Sequence, residues 1–501
     1  MPDCASSLAA TAAATPPGDA GEARAQRGPF RPEVWLNARR RSSVRLAAHW
    51  FRALDVTVAV GLAAVVLWAL ESIDLRILPV GAVLPLAVGV TTVLALLRGL
   101  DLYRFEPERS PLVHLAAVLA ALALAMAAAV TVGWALQGDG LGPVIPWGLT
   151  AAAALTGLHG LWLILVGRWR RQGALSPNIV IVGATRNAQA LIERALERRD
   201  LNVLGVFDDR LARSPSRLAG VPVLGRADAL LSHRMLPYVD HIVLAIDPEA
   251  GPRGRDLARR LETLPTPVAI LVDSEAGRDD ALKRLAGGRL APLGNTPSDE
   301  RRAFVKRLQD LVIGGLALIA SAPLMILIAL AVRLDSPGPI FFRQRRHGFN
   351  QEAIIVWKFR SMRHAAADAT ASRQVAADDD RVTRVGRFIR ATSLDELPQI
   401  FNVLSGEMSL VGPRPHAIGM KTGETESALM VAEYAHRHRI KPGITGWAAV
   451  KGSRGPVHTE AEVRRRVELD IDYIQRQSFW LDLWILLITV PVLLGDRTAV
   501  R

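Results

Sequence analysis

The hydrophobic positions of the chain form long uninterrupted runs in its N-terminal third. Each of the four runs approaches the ~20 apolar residues that a helix needs to cross a bilayer. They cover Ala53–Leu70, Leu78–Leu97, Leu112–Leu136 and Val144–Val166. This pattern predicts a four-helix transmembrane bundle over residues 49–170. Four long helices buried in a globular core would give similar runs and are the alternative.

The polar connections between these runs differ in their content of basic residues. Five arginines lie before or at the start of the first run, namely Arg39, Arg40, Arg41, Arg45 and Arg52. Arg168, Arg170 and Arg171 follow the fourth run, whereas the link Gln137–Pro143 has no Lys or Arg. Basic residues are retained on the cytoplasmic side of a membrane. The bundle is therefore expected to be multi-pass, with both of its ends in the cytoplasm.

The pattern changes between residues 177 and 292 to short apolar runs that alternate with helical patterns. PNIVIVGATRNAQALIERAL is typical of a buried strand, a turn and a helix. The alternation predicts a Rossmann-like domain with a parallel sheet. Its first turn has Gly183 but not the full G-x-G-x-x-G fingerprint. Asp208 and Asp209 would contact a ribose or only solvent, and a structural or regulatory module is favoured over a cofactor site.

A fifth apolar run, Leu311–Val332, has 22 residues without a charge. It is long enough to span a membrane, but basic residues flank it on both sides. Pro323 lies inside it and is expected to bend the helix. We therefore predict a re-entrant helix over residues 304–334, a helix–break–helix hairpin that enters and leaves one leaflet. A plain fifth transmembrane helix is the alternative.

The remaining sequence predicts a mostly α-helical C-terminal domain over residues 300–501. Trp480 and Trp484 lie beside a short apolar run, which favours either a segment at the membrane interface or packing within the domain. The mixed stretch Val463–Arg476 is typical of a charged, solvated helix face.

Composition narrows the choice of partners. The 501 residues include 61 Lys+Arg against 48 Asp+Glu, which favours phospholipids, nucleotides or phosphorylated substrates. Nucleic acid is not expected, because only 5% of residues are aromatic and they do not alternate with a basic stripe. The single cysteine, Cys4, excludes an internal disulfide. It lies in residues 1–48, which are predicted to be a disordered basic tail.

Two adjacent carboxylates, Asp395 and Glu396, are the first candidates for chemistry. They also fit a structural role, a capping box with Ser393 as N-cap and Glu396 at the third helical position. Asp395 would then favour the positive end of the helix dipole. The same position would keep Asp395 ionised and able to attack phosphorus, while Glu396 held Mg²⁺. The spacing alone leaves both interpretations open.

An arginine follows this pair, fixed between two prolines. Arg414 lies between Pro413 and Pro415, where its guanidinium would offer a rigid fork to a phosphate. The surrounding sequence is a long ordered series of motifs. It contains SPGPIFFRQRRHG, WKFRSM, DRVTRVGRFIRATSLDELPQIFNVLSGEMSLVGPRP and RHRIKPGITGWAAVKG.

This series resembles the polyprenyl-phosphate sugar-1-phosphate transferases, or monotopic phosphoglycosyl transferases, over about Arg302 to Ala499. The upstream bundle and Rossmann-like domain resemble those of the large subgroup, which acts with undecaprenyl phosphate. The resemblance implies a bacterial inner-membrane enzyme with a cytoplasmic catalytic domain. It would transfer a hexose 1-phosphate, glucose or galactose with glucose favoured, from a UDP-sugar to undecaprenyl phosphate and release UMP. That reaction starts exopolysaccharide, capsule or O-antigen synthesis.

The resemblance also implies roles for particular residues. Asp395 matches the nucleophile that carries a covalent phosphosugar, and Glu396 matches the acid associated with Mg²⁺. Arg414, with Pro413 and Pro415, matches an element near the nucleotide and phosphates. Lys358, Arg360 and Arg390 match basic residues that support phosphates and the active-site structure, and Pro323 matches the helix-breaking proline.

Some positions depart from the family pattern. Ala322 stands where Ser commonly precedes the breaking proline, with Ser321 one place earlier. Ala449 and Lys451 stand where Gln and Asn are usual, which bears on the fit of the nucleotide or sugar.

Asp378 and Asp380 form a D-x-D that would hold a metal or lie in a solvated loop.

Two other functions stay open at this stage. A membrane-anchored nucleotide-sugar dehydratase or epimerase would need a Tyr-x-x-x-Lys pair, which none of the four tyrosines provides. An inactive scaffold of polysaccharide assembly would not need the acidic pair. A homodimer is also expected, because the bundle and middle domain offer additional surfaces.

Overall fold

The computed structural model describes most of the chain from residue 38 onwards. The described residues are 38–71, 80–105, 109–137, 142–198, 201–210, 215–231, 233–245, 251–271, 291–292, 300–363, 381–422, 425–453, 455 and 457–495. Cys4 and Asp378–Asp380 lie outside them. One compact unit comprises the described residues of Arg41–Leu175, and the other combines the described residues before Arg41 with those from Ser176 onwards.

The N-terminal part is helical. Its helices are α1 (Ala38–Arg45), α2 (Ala47–Glu71), α3 (Val80–Gly99), α4 (Pro111–Gln137) and α5 (Val144–Arg171). The predicted disordered tail, residues 1–48, is therefore wrong for its last part, because α1 is helical and α2 begins at Ala47. The four longer helices are long and apolar enough to cross a membrane.

Helices α2 to α5 pack around one apolar core and expose apolar side chains outside it. The core includes Leu86, Val93, Trp147 and Leu155, each almost fully buried. A glycine is needed at position 89, since a Cβ there would lie 2.7 Å from the Trp147 ring. Large apolar side chains also point outwards, among them Val60, Trp68, Leu112, Trp134 and Ile164. Helices that are apolar on all sides are typical of a lipid environment.

A polar network lies inside this apolar bundle. The Tyr103 hydroxyl donates to Asp55 Oδ2 at 2.8 Å, and His159 Nε2 lies 3.1 Å from the same oxygen. His159 Nδ1 lies 2.9 Å from His114 Nε2. All four side chains are buried. With Asp55 ionised, one arrangement of protons satisfies these contacts, because each imidazole then donates towards Asp55.

The middle domain has an α/β fold. Its elements are β1 (Asn178–Val182), α6 (Arg186–Arg198), β2 (Asn202–Phe207), β3 (Arg217–Leu218), β4 (Val221–Gly225), α7 (Ala227–Leu230), β5 (His241–Leu244), α8 (Gly251–Glu262), β6 (Val268–Ile270) and β7 (Ala291–Pro292). The strand order is β3-β4-β2-β1-β5-β6-β7. The central strands β4, β2, β1, β5 and β6 are parallel, and both edge strands are antiparallel. The Rossmann-like prediction agrees with this sheet.

The two acids at the end of β2 brace the loops around them. Asp208 accepts hydrogen bonds from the Ala184 and Arg210 amides at 2.9 and 2.8 Å. Asp209 accepts one from the Ala227 amide at 2.9 Å. The sequence predicted either a ribose contact or simple solvation for these acids, and it did not predict that they would accept hydrogen bonds from loop amides. Backbone amides satisfy both carboxylates at the edge of the sheet where a dinucleotide would bind.

The C-terminal domain is mostly α-helical, as predicted, with small sheets. Its elements are α9 (Glu300–Asp335), β8 (Phe341–His347), β9 (Ala353–Phe359), α10 (Arg384–Ala391), α11 (Gln399–Leu404), β10 (Ser409–Val411), β11 (Lys421–Thr422), β12 (Thr425–Glu426), α12 (Ser427–Met430), β13 (Gly443–Thr445), α13 (Trp447–Val450), α14 (Glu460–Arg476) and α15 (Phe479–Gly495). Strands β8 and β9 form an antiparallel hairpin, and β10 pairs with β13 in parallel.

Helix α9 continues through Pro323, so the predicted helix–break–helix interruption is wrong at the level of secondary structure. A proline inside a helix can bend it without ending it. Both halves pack on the same domain. Ile313 contacts one core cluster, and Met325, Ile328 and Val332 belong to another. Its other side exposes apolar residues in both halves, including Val312, Leu316, Ile319, Leu324, Leu327, Leu330 and Leu334.

Charged side chains fasten the N-terminal part of α9 to the domain. Arg307 donates to the Val403 and Leu404 carbonyls at 2.6 and 2.7 Å, at the negative end of α11. The buried Asp310 accepts from the Ser409 hydroxyl and the Leu410 amide at 2.9 and 3.0 Å.

Helix α15 has one buried and one exposed face. Asp482 accepts from the Tyr473 hydroxyl at 2.6 Å and pairs with Lys306 at 2.7 Å, and Ile485 is fully buried. Trp480 and Trp484 point outwards. The two interpretations of this segment therefore apply to different faces, since the inner face packs in the domain and the outer face is apolar and exposed.

Replacing Asp55 tests the polar network in the bundle. Asp55→Ala leaves the Tyr103 hydroxyl and the His159 Nε2–H buried without their acceptor, and each such group costs about 1–3 kcal/mol. We expect a lower free energy of unfolding, measured by thermal unfolding of the detergent-solubilised protein. Thr57→Ala is the matched control, because this exposed hydroxyl only contacts the Ala53 carbonyl of its own helix. Equal stability of the two variants would contradict the prediction.

Candidate active site

The acidic pair lies in a tight turn rather than at a capped α-helix. Leu394–Glu396 form a single 3₁₀ turn, and Ser393 before it has a left-handed backbone with φ 59°. The Ser393 side chain makes no capping hydrogen bond. The predicted capping box is therefore wrong, because an N-cap needs an extended backbone. Asp395 and Glu396 are 7% and 8% exposed.

Two cations engage the Glu396 carboxylate. Lys358 Nζ lies 2.9 Å from Glu396 Oε1, and Arg414 Nη2 lies 2.7 Å from the same oxygen. Arg414 Nη1 also reaches Glu396 Oε2 at 3.4 Å. Lys358 Nζ is 3.7 Å from Asp395 Oδ2. Four of the predicted site residues thus meet, and two positive charges offset two negative ones.

This pairing keeps Arg414 charged. The neighbouring Glu396 raises the pKa of the Arg414 guanidinium above its usual value, with a smaller contribution from Asp395. A cation held beside a reacting carboxylate can stabilise the negative charge of a phosphate group. Arg414 therefore lies beside the acidic pair as a cation, and its contact with a phosphate stays a prediction.

The loop that carries Arg414 is positioned by close packing of its backbone against the backbone around β13. A Cβ at position 412 would lie 2.5 Å from the Lys441 carbonyl oxygen, and one at position 446 would lie 2.2 Å from the Gly412 carbonyl oxygen. Glycine at these positions lets the Gly412 amide donate to the Thr445 carbonyl at 2.9 Å. Pro413 and Pro415 then stiffen the segment on either side of Arg414.

A buried arginine holds the backbone of the same loop. Arg437 donates to the Arg414 carbonyl at 2.9 Å and pairs with Asp470 at 2.7 Å. Its guanidinium also contacts the His416 ring. Burial and the charge of Arg437 hold the pKa of His416 well below its usual range, so this ring stays neutral.

Sequence reasoning missed Arg437 and its partner Asp470. Helix α14 was predicted to be a solvated, charged face, and this is wrong for one side. Its buried side consists of Val463, Arg466, Val467, Asp470 and Tyr473. These positions recur at helical spacing, which is the signal that could have identified the stripe. The charges within it concealed the pattern.

A pocket opens beside Arg414. It is lined by Gly412, Arg414, Ile444, Thr445, Gly446, Ala448, Ala449, Ser453, Arg466 and Asp470. Arg466 donates to the Ser453 hydroxyl and the Gly455 carbonyl at 3.0 and 2.7 Å. Burial, together with Arg437 and Arg414, lowers its pKa to about 10, so it remains a cation at neutral pH.

The two departures from the family pattern fall in different places. Ala449 lines the pocket, where a small side chain leaves room. The Lys451 ammonium lies over the Trp447 ring, 4.7 Å from its centroid, and is not among the pocket residues. Of the two, Ala449 is the one placed to affect what the pocket accepts.

Arg360 and Arg390 do not join the acidic pair in the contacts of the described residues. Arg360 donates to the carbonyls of Val332, Ser336 and Pro337, at the end of α9. Of the two roles predicted for Arg360, supporting phosphates and supporting the active-site structure, these contacts favour the second, because carbonyl oxygens at the end of α9 occupy its guanidinium. Arg390 reaches the Ser361 hydroxyl at 3.4 Å.

The acidic pair offers a limited donor set for a metal ion. No cluster of three or more His, Cys, Asp or Glu that could hold a metal occurs among the residues that the structure describes. Mg²⁺ needs fewer protein ligands, since it keeps several waters and is often bound by one or two carboxylates and substrate phosphates. Asp395 and Glu396 therefore fit a Mg²⁺ ion shared with a phosphorylated substrate.

Two known families match the chain. The sequence profile of the family described as bacterial sugar transferase matches residues 301–496, and that of the family described as CoA-binding domain matches residues 98–271. The first match covers the acidic pair, Lys358 and Arg414. The second covers α4, α5 and most of the Rossmann-like domain.

Curated relatives extend beyond the C-terminal domain. The UDP-glucose:undecaprenyl-phosphate glucose-1-phosphate transferase of Xanthomonas campestris pv. campestris is 36% identical over 70% of this chain and 72% of its own length. The protein of the same name from Escherichia coli K12 is 35% identical over 65% and 69%. The undecaprenyl-phosphate glucose phosphotransferase of Komagataeibacter xylinus is 38% identical over 65% of this chain, which spans only 60% of that relative. The chain therefore belongs to the bacterial sugar transferase family, that of the polyprenyl-phosphate sugar-1-phosphate transferases.

Proposed function

We propose that this protein transfers glucose 1-phosphate from UDP-glucose to undecaprenyl phosphate and releases UMP, as the initiating step of exopolysaccharide synthesis. The observation that carries the proposal is the buried pair Asp395–Glu396, held by Lys358 and Arg414. The names of the relatives favour glucose as the sugar. A dehydratase or epimerase is not favoured, because the chain has no Tyr-x-x-x-Lys pair, which such an enzyme would need.

Asp395 serves as the nucleophile in a two-step reaction. Its carboxylate oxygen attacks the phosphorus that carries glucose, and the bond from that phosphorus to the bridging oxygen breaks, so that UMP leaves. A phosphate oxygen of undecaprenyl phosphate then attacks the same phosphorus and releases the Asp395 carboxylate. Both steps conserve the phosphosugar and need no external oxidant or base.

Glu396 acts mainly by holding cations in place. It fixes Arg414 and Lys358 beside the nucleophile, where their charges oppose the repulsion between Asp395 and an anionic donor. Arg414 also lines the pocket and would contact the donor's phosphates. Catalysis of this kind depends chiefly on positioning and on charge neutralisation.

Mg²⁺ is proposed as the cofactor. Asp395 and Glu396 would hold it together with phosphate oxygens of the donor, and it would neutralise negative charge on the diphosphate. Binding of Mg²⁺ would require Glu396 to give up part of its contact with Lys358 or Arg414.

We also propose that α9 is re-entrant and that the catalytic domain lies in the cytoplasm, at the bacterial inner membrane. Arg307 and Asp310 fasten one end of α9 to the domain, and Arg360 fastens the other. A straight helix of its 36 residues would extend ~54 Å, well beyond a hydrocarbon core of ~30 Å. A bend at Pro323 would let both ends meet one domain while the exposed apolar side enters the leaflet. A homodimer stays a prediction.

The nucleotide product tests the reaction. Purified protein with UDP-glucose, undecaprenyl phosphate and Mg²⁺ should release UMP, and UDP-galactose should give less. Asp395→Asn should lose transfer by roughly a thousandfold or more, as expected for removal of a nucleophile. Asp472→Asn, at an exposed carboxylate on α14, is the matched control. Release of UDP, or normal turnover by Asp395→Asn, would overturn the assignment.

Lys358 and Arg360 are close in sequence and should give opposite phenotypes. Lys358→Met removes a charge from the acidic pair and should lower kcat/KM by roughly a hundredfold, with a smaller loss of stability than Arg360→Gln, because Arg414 still pairs with Glu396. Arg360→Gln leaves carbonyls at the end of α9 without their charged donor and should lower the free energy of unfolding by about 2–3 kcal/mol. Steady-state kinetics and thermal unfolding distinguish the two. The reverse pattern would contradict both placements.

Cysteine labelling tests the topology. In a Cys4→Ser background, Arg345→Cys places a thiol at an exposed position of β8. A membrane-impermeant maleimide should label it in inside-out vesicles and not in intact spheroplasts. Gly142→Cys is the matched control. It should label from outside, because the link before α5 lies on the side opposite to the two cytoplasmic ends of the bundle. No neighbouring atom crowds a Cβ there, so the thiol should be accessible. Labelling of Arg345→Cys from outside would refute the re-entrant arrangement.

A further inference from the structure

The hairpin β8–β9 connects the Rossmann-like domain to the acidic pair. Its strands pair in register from Phe341 with Phe359 to His347 with Ala353. The turn between them contains two successive non-glycine residues in the left-handed region, Asn350 with φ 52° and Gln351 with φ 59°. Asparagine is one of the few residues that tolerate this conformation at small cost.

The Asn350 side chain is inserted into the Rossmann-like domain. Its Nδ2 donates to the Leu236 and Val239 carbonyls at 2.8 and 3.1 Å, and its Oδ1 lies 3.0 Å from the Thr266 hydroxyl. Asn350 is only 4% exposed, and Thr266 is also buried. The amide orientation is fixed by these partners, because the two carbonyls can only accept and the hydroxyl can donate.

The residues next to this turn contact the active-site loop. Arg346, four positions before Asn350, donates to the Pro415 carbonyl, and the His347 amide donates to the His416 carbonyl at 3.1 Å. These two acceptors directly follow Arg414. Burial, with the nearby Arg414, lowers the pKa of Arg346 to about 10, so it remains charged at neutral pH.

The far end of the hairpin reaches the acidic pair. Lys358 lies five residues beyond the start of β9, roughly 17 Å along the strand. Asn402 fastens this end, because it accepts from the Trp357 amide at 3.0 Å and donates to the Ile355 carbonyl at 2.7 Å. A two-stranded hairpin is only marginally stable by itself. Its position therefore depends on Ile354 and Val356, which pack into the domain core, and on the contacts that hold its two ends.

We infer that Asn350 is a positioning residue for the reaction, through which the Rossmann-like domain fixes the hairpin and thereby the loop that carries Arg414. The connection runs along the hairpin backbone from Asn350 back to Arg346, which donates to the Pro415 carbonyl next to Arg414, and Arg414 contacts Glu396. This gives the Rossmann-like domain a specific task, to hold the hairpin turn. The kinetic part of the inference rests on the proposed function.

The test uses two glycine substitutions in the full-length protein. Asn350→Gly keeps the left-handed backbone, which glycine adopts freely, and removes the three side-chain contacts. Gln351→Gly is the matched control, since it changes the neighbouring left-handed residue and leaves the Asn350 amide in place. We expect Asn350→Gly to lower kcat for UMP release by roughly tenfold at a temperature where the protein is folded, the equivalent of about 1.4 kcal/mol. Gln351→Gly should stay within about twofold of the original kcat.

A double-mutant cycle separates positioning from a general loss of stability. Thr266→Val removes the hydroxyl that contacts Asn350, and it should lower kcat less than Asn350→Gly. The double variant should be no worse than Asn350→Gly alone, because both changes act on one contact. Unchanged kcat in Asn350→Gly, an equal loss in Gln351→Gly, or additive losses in the double variant would each overturn the inference.

Hydrogen exchange provides a readout that does not depend on the reaction. The amides of residues 341–347 and 353–359 should exchange faster in Asn350→Gly than in Gln351→Gly or the original protein. Unchanged exchange in Asn350→Gly would overturn the positioning role. If the original protein releases no UMP, the proposed function fails, and the exchange measurement alone decides whether Asn350 fixes the hairpin.

Discussion

The Glu396 carboxylate, shared between Lys358 and Arg414, is the interaction on which the catalytic domain depends. It joins strand β9, the turn with the acidic pair and the Pro-Arg-Pro loop, which are separated along the chain. Taking such charges out of water is costly unless their geometry is well fixed and their remaining hydrogen bonds are satisfied. The surrounding structure can be understood as the set of supports that hold these three segments in that geometry.

Those supports act largely on backbone atoms. Arg437 holds the Arg414 carbonyl, Arg346 holds the Pro415 carbonyl, and Gly412 lets the loop approach β13 closely. Fixing carbonyls leaves the Arg414 guanidinium facing Glu396 and the pocket. A positioned cation needs little reorganisation when charge develops on a phosphate, which is the main way in which such sites accelerate transfer.

The sequence predicted features that depend on local pattern, including the apolar helices, the alternating strands and the adjacency of Asp395 to Glu396. It also brought Lys358 and Arg414 to the site, through resemblance to a family rather than through spacing. It did not predict features that depend on distant segments. Arg360 was assigned to phosphates through the resemblance. Nothing in the sequence around it shows that α9 ends beside it. Ser393 was assigned as a cap from the capping-box pattern, which does not show that its backbone is left-handed. Asp470 was predicted to be solvated, because the sequence does not show that Arg437 pairs with it.

Three consecutive residues connect the acidic pair to α9. Lys358 contacts Glu396, Phe359 packs with Met325, Ile328 and Val332 of α9, and Arg360 caps the end of that helix. Successive residues of a strand are only ~3.3 Å apart. Any shift of α9 therefore reaches the Lys358 ammonium within one or two residues, with no flexible linker between them. Leu394, directly before Asp395, packs against the same apolar cluster. The position of Asp395 relative to α9 is thus set by side-chain packing, and in the proposed reaction a lipid phosphate at a fixed depth in the bilayer would meet Asp395 at a fixed height.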